Sequence, residues 1–136
     1  MLHENSDWYK RAGASAEALE KLRRVCDFAL PVSLLELLAY SDGGEGPLPV
    51  EPYNFCLDSA ETIAQAQIER TYEEFFPGYF VFGSNGGGEL IALDINASAG
   101  MPVVMLDSTN IDLQESRRVV TGGFEAFLLL VGKEEE

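Results

Sequence analysis

The run Gly83-Ser84-Asn85-Gly86-Gly87-Gly88 is the stretch whose residue types most directly invite chemistry. Backbone amides of a glycine-rich loop hold phosphate when a strand leads through the loop into a helix N-terminus. Here the glycines lead into Glu89-Leu90-Ile91-Ala92-Leu93, an apolar run of strand character, and the lysine of a nucleotide-binding loop is missing. An acidic side chain directly after the glycines also repels phosphate. The run therefore reads as a β-hairpin turn, because Asn-Gly tolerates the positive φ that tight hairpins need.

A second candidate is Asp94-Ile95-Asn96-Ala97-Ser98-Ala99-Gly100, whose oxygen-bearing side chains alternate as they do in a calcium loop. Such a loop needs glycine at its sixth position and a bidentate glutamate at its twelfth. This chain has glycine at the seventh and Met105 at the twelfth. Calcium is not expected, and no other pattern calls for a metal or a cofactor.

Nucleophilic and acid–base chemistry fare no better. His3 is the single histidine and sits near the chain start, so a Ser–His or Cys–His dyad has no base. Cys26 and Cys56, thirty residues apart, match no zinc or redox spacing. In a reducing compartment they read as small buried apolar residues. Glu45, Glu89, Asp94 and Asp107 are placed to converge near the end of a sheet. In so acidic a chain, a solvated acidic face explains them better than an acid–base pair. An enzyme is not expected.

Charge is the strongest compositional fact: 23 Asp and Glu against 9 Lys and Arg give a formal −14. Phosphate backbones and anionic lipid surfaces are repelled by such a field, so neither nucleic acid nor membrane is an expected partner. A basic protein would be steered in. No apolar run approaches the roughly 20 residues needed to cross a bilayer, and the first residues lack the basic-then-apolar order of a signal peptide. A cytoplasmic location is expected.

The elements that must position these residues follow from periodicity. Ser15 caps a helix with Leu19, Leu22 and Cys26 on one face, and Trp8 and Tyr9 ahead of it are expected to dock on the core. Pro31 suits the first turn of a second helix bearing Leu34, Leu35, Leu37 and Leu38, stopped by Asp42-Gly43-Gly44. Residues 45–52, with Pro47, Pro49 and Pro52, read as an irregular loop, and 53–57 as a short strand. Asp58 with Glu61 forms a capping box for a third helix reaching about Glu74.

From Tyr79 onward the apolar period switches to two. Strands are expected over 79–83, 89–95 and 102–106, with a short edge strand over 117–120. A last helix opens at Thr121 or Gly122, with Phe124, Phe127, Leu128 and Val131 on one face. The order predicts an α+β fold, a mainly antiparallel sheet with helices packed on one face. Residues 1–14 are read as an N-terminal segment, 15–131 as a single domain and 132–136 as an acidic tail.

A family pattern runs through these elements. Leu30-Pro31 opens a leucine-rich helix that ends in Ser41-Asp42-Gly43-Gly44, and Pro77-Gly78-Tyr79-Phe80-Val81-Phe82-Gly83 leads through the glycine turn to Glu89. Ala92-Leu93-Asp94, Pro102-Val103-Val104 and Phe124-Glu125-Ala126-Phe127-Leu128 follow. In order and spacing this resembles the SUKH superfamily, in the branch that includes the fungal cell-wall-assembly regulators, over residues 15–131. The resemblance implies an α+β domain in which Pro31, Gly43, Gly44, Gly83, Gly86, Gly87, Gly88 and Asp94 form a structural motif. It also implies a protein-binding role, since many bacterial members are immunity proteins against toxins and fungal members act in regulatory interactions.

The expectation is thus an immunity protein that binds a basic toxin domain, such as a nuclease, its carboxylates imitating phosphate. Asp42, Glu45, Glu51, Glu89 and Asp107, on predicted loops and strand ends, are the candidate contacts. A regulatory or scaffold domain for an endogenous partner is the alternative. A small-ligand-binding or enzymatic domain is the alternative of a different class.

Overall fold

The computed structural model describes residues 7–97, 100–110 and 112–134. Ser15 starts the first helix by accepting the Ala18 N–H at 3.1 Å. Helix α1 (Ala16–Val25) then carries Glu17 in its first turn and Arg23 and Arg24 in its last, each matching the helix dipole. Pro31 stands at the N-cap of α2 (Val32–Tyr40), which buries Leu34, Leu37 and Leu38. The remaining helical segments are α3 (Ala60–Glu69), α4 (Leu113–Ser116) and α5 (Phe124–Leu128).

Among the described residues seven strands form one sheet: β1 (Tyr9–Lys10), β2 (Gly44–Pro47), β3 (Asn54–Leu57), β4 (Tyr79–Ser84), β5 (Glu89–Asp94), β6 (Val103–Asp107) and β7 (Arg117–Thr121). Their spatial order is their chain order, and every neighbouring pair is antiparallel. The fold is α+β, with a fully antiparallel sheet.

Side chains alternate across a strand, and both faces of this sheet are used. Phe55, Phe80, Phe82, Ile91, Leu93 and Val103 face the buried residues of α1, α2, α3 and α5. The aromatic rings meet edge to face, as their quadrupoles favour: Phe55 and Phe127 are 5.0 Å apart at 83°, Phe82 and Phe124 5.5 Å at 73°. On the other face Val81, Ala92, Val104 and Leu106 are buried beneath Phe76, with Tyr72 packed alongside.

Six local expectations change. Residues 44–47 are a strand, not loop, because Trp8 lies over Gly44 and Gly46 and holds that chain against β3; a Cβ on either glycine would stand 2.7 Å from the indole. Gly44 therefore answers a ring contact and is not the helix stop. Tyr9 does not dock on the core: alternation turns Trp8 inward against Phe55 and leaves Tyr9 85% exposed.

The third helix is capped by Ser59, whose Oγ accepts the Thr62 N–H at 3.1 Å, and not by Asp58, whose N–H is bonded to Phe82 O at 3.0 Å and so closed to a capping box. It ends at Glu69, with Arg70 left-handed at φ 55, so that Tyr72 and Phe76 can turn onto the second face of the sheet. Cys26 and Cys56 are free thiols and only half-buried.

Candidate partner-binding surface

Asp42 follows the end of α2, where a bonded hub fixes the chain. Ser41 is buried, and its Oγ accepts from the Arg11 N–H at 3.0 Å and from Trp8 Nε1 at 3.2 Å. The same hydroxyl donates to Gly43 O at 2.6 Å. The hub aims the Asp42 carboxylate at α3, where it accepts the Ala60 N–H at 2.7 Å. Asp42 thus supplies a second cap beside Ser59, and its charge lies at the positive end of the helix dipole.

Glu45 lies on β2, opposite Cys56 in register and exposed. It accepts from Asn54 Nδ2 at 3.0 Å. Burial and then this carboxylate push the Cys56 thiol above its ordinary value. Cys26 is pushed up to about 11, chiefly by burial and then by Asp27. Thiols held protonated are poor nucleophiles at neutral pH.

Glu89 and Asp107 stand directly opposite each other on β5 and β6. The Thr109 hydroxyl and amide, both 2.7–2.9 Å away, hold the Asp107 carboxyl below its usual range. Arg118 adds to that effect and makes an exposed ion pair with Glu51 at 3.1 Å. The structure therefore gathers Glu51, Glu89 and Asp107 around the end of β5–β7, brings Glu45 to the neighbouring hairpin through Asn54, whose amide also donates to Asn85 O at 3.0 Å, and leaves Asp42 at the start of α3.

The four carboxylates expected near one end of the sheet do not all converge. Asp94 is at the far end of β5 from Glu89, about 17 Å along the strand, and pairs with Arg117. Among the motif glycines, Gly83 is buried, and a Cβ there would meet Cys56 O at 2.4 Å. Gly43 and Gly86 adopt positive φ, while Gly88 has open space around it. The hairpin turn is stitched by Asn85, whose Oδ1 accepts the N–H groups of Gly87 and Glu89.

Three residues beside this carboxylate group escaped sequence reasoning: Val50, Tyr53 and Val119, all large, apolar and exposed. The only signal for them was an aromatic residue placed just after a proline-rich segment. Among the described residues no group of three or more His, Cys, Asp or Glu side chains could hold a metal ion. No described helix is long and apolar enough to cross a membrane. A depression of about 900 Å³ runs along α1 between Ser15 and Val25 and is lined by small and oppositely charged side chains.

An antiparallel sheet with its long helices on one face, and acidic side chains at its loops and strand ends, defines a domain of α+β type. The family model described as the SMI1 / KNR4 family (SUKH-1) matches residues 13–130, and the chain belongs to that family. Membership fits a protein-binding role of the immunity or regulatory kind, in a family that is generally non-enzymatic. A search of curated proteins found no match to the chain.

Proposed function

We propose that this chain is an immunity protein that acts in the cytoplasm by binding a basic toxin domain, of which a nuclease is the leading candidate. The observation that carries this reading is the formal charge of −14 on a scaffold of this family. A nuclease domain attracts phosphate through Lys and Arg, so a dense carboxylate surface competes for the same groups and speeds encounter. Asp42, Glu45, Glu51, Glu89 and Asp107 are the proposed contacts, with Glu51, Glu89 and Asp107 acting as one group.

The test is co-expression of the chain with the product of the gene adjacent to its own. Co-purification of the two products and protection of the host cell support the proposal. A partner that is bound but lacks toxicity turns the reading to a regulatory domain, and turnover of a substrate by the purified chain removes it. Association should slow as salt rises through the range in which the Debye length shrinks from about 30 Å to about 8 Å.

A further inference from the structure

Between the 48–53 loop and strand β7 lies a groove of about 350 Å³. The loop is closed on itself by Leu48 N–H to Tyr53 O at 3.1 Å and Tyr53 N–H to Val50 O at 2.7 Å. Val50 and Tyr53 are 40% and 49% exposed on one side of the groove, Val119 57% on the other. Pro49, Met105 and Val120 add to its apolar lining. Tyr53 is held at φ 67, a left-handed conformation that a residue with a Cβ rarely adopts. The loop accepts that strain while presenting an aromatic ring to solvent, an arrangement found where a side chain is displayed for binding. Tyrosine and arginine are among the side chains enriched at interface hot spots.

Strand β7 is the last of the sheet, with no further strand outside it among the described residues. Its outward N–H and C=O groups are open to an added strand. Charge selects what is added. Arg117 is already bound by Asp94 and Arg118 by Glu51. Arg118 also helps to lower the Asp107 pKa, and Glu89 stands opposite Asp107 on β5, so the carboxylates outnumber the free cations at this end of the sheet. A second copy paired along β7 would join two bodies of −14. Self-pairing is therefore disfavoured.

We propose that an extended segment of a basic partner protein adds to the outer edge of β7. It places an apolar side chain in the groove beside Tyr53, Val50 and Val119, and lysine or arginine toward Glu51, Glu89 and Asp107. The inference rests on the protein-binding reading above and names its surface and the chemistry recognised there.

Random-sequence peptides displayed on phage, selected against the full chain, provide the probe. Enrichment of sequences alternating Lys or Arg with apolar residues is expected, and a synthetic copy of such a peptide should shift the amide resonances of residues 49–53 and 117–121. Tyr53→Gly and Val119→Lys should each weaken that peptide at least about tenfold, as hot-spot truncation does. Tyr53→Gly should at the same time leave thermal stability unchanged or raised, because glycine relieves the strained φ; a large loss of stability instead would make the ring structural and overturn the proposal. Enrichment of acidic peptides, no enrichment, or shifts confined to α1–α3 also overturn it. Tight binding of a co-purified toxin by both variants removes the groove while leaving the protein-binding role standing.

Discussion

Asp94 and Arg117 meet at 2.7 Å across the face of the sheet that α1, α2 and α5 do not cover. Asp94 sits on β5 and Arg117 on β7, so the pair straps two strands together over β6. The Asp94 side chain is 7% exposed and that of Arg117 31%. The other carboxylate oxygen, Oδ1, accepts the Asn96 N–H at 2.9 Å, and the bond to Asp94 is the main cause that raises the Arg117 pKa.

Removing one partner of a mostly buried pair leaves the other charge poorly solvated. Asp94→Ala is expected to cost about 2 kcal/mol of stability, less than a fully buried pair because the guanidinium keeps some water. Denaturant midpoints of Asp94→Ala, Arg117→Ala and the double variant check this. If the pair is coupled, the double variant loses less than the sum of the singles.

Gly83 and Gly88 bracket the same hairpin and should respond in opposite ways. A methyl at Gly83 meets the backbone oxygen of Cys56 at 2.4 Å and Phe55 Cε1 at 2.8 Å, and neither can move cheaply in the core. Gly83→Ala should cost about 2 kcal/mol or more by overpacking. At Gly88 nothing lies within 4 Å and φ is not left-handed, so Gly88→Ala should stay within about 0.5 kcal/mol of the parent. Thermal unfolding of the two variants side by side decides it.

Asp42 has a measurable structural role whatever its part in binding. Asp42→Ala removes the 2.7 Å bond to the Ala60 N–H and should cost about 1 kcal/mol, the usual worth of a helix cap. Amide exchange in the first turn of α3 should quicken with it. A variant as stable as the parent would show that Ser59 alone caps α3.

Asp58 supplies a pH signature. Burial raises its pKa above the ordinary 3.8. Between the unfolded and folded values the native state holds the proton more tightly, so this group's contribution to stability falls as pH rises through that window and stays lost at neutral pH. Asp58→Asn should therefore be more stable than the parent at pH 7, with the advantage vanishing below the unfolded pKa. Paired denaturation curves at acid and neutral pH test the sign.

The elements readable in the chain were those set by local rules. Ser15 capped α1 as its side chain dictates, and the leucines of α2 faced the core. The period-two runs over 79–83 and 89–95 became β4 and β5 around the Asn-Gly turn. Elements that depend on a distant contact were not readable. The Gly-Glu-Gly-Pro segment 44–47 has poor strand propensity and pairs because Trp8 covers its glycines. Helix α3 stops early because Tyr72 and Phe76 are needed on the second face of the sheet. A capping box at Asp58 was closed off because Phe82 O had claimed the Asp58 N–H, and Ser59 caps the helix.

The amino-acid order by itself determined the negative charge, the lack of a histidine base, the helix starts and the strand period, since each depends on residue type or on spacing within a few positions. Only the tertiary structure decided which carboxylates stand together and which are occupied: Asp42 serves a helix, Asp94 serves an arginine, and Glu51, Glu89 and Asp107 gather beside Tyr53 and Val119. Such groupings depend on strand register and on how far apart the ends of a strand lie in space, and distance along the chain carries no record of either.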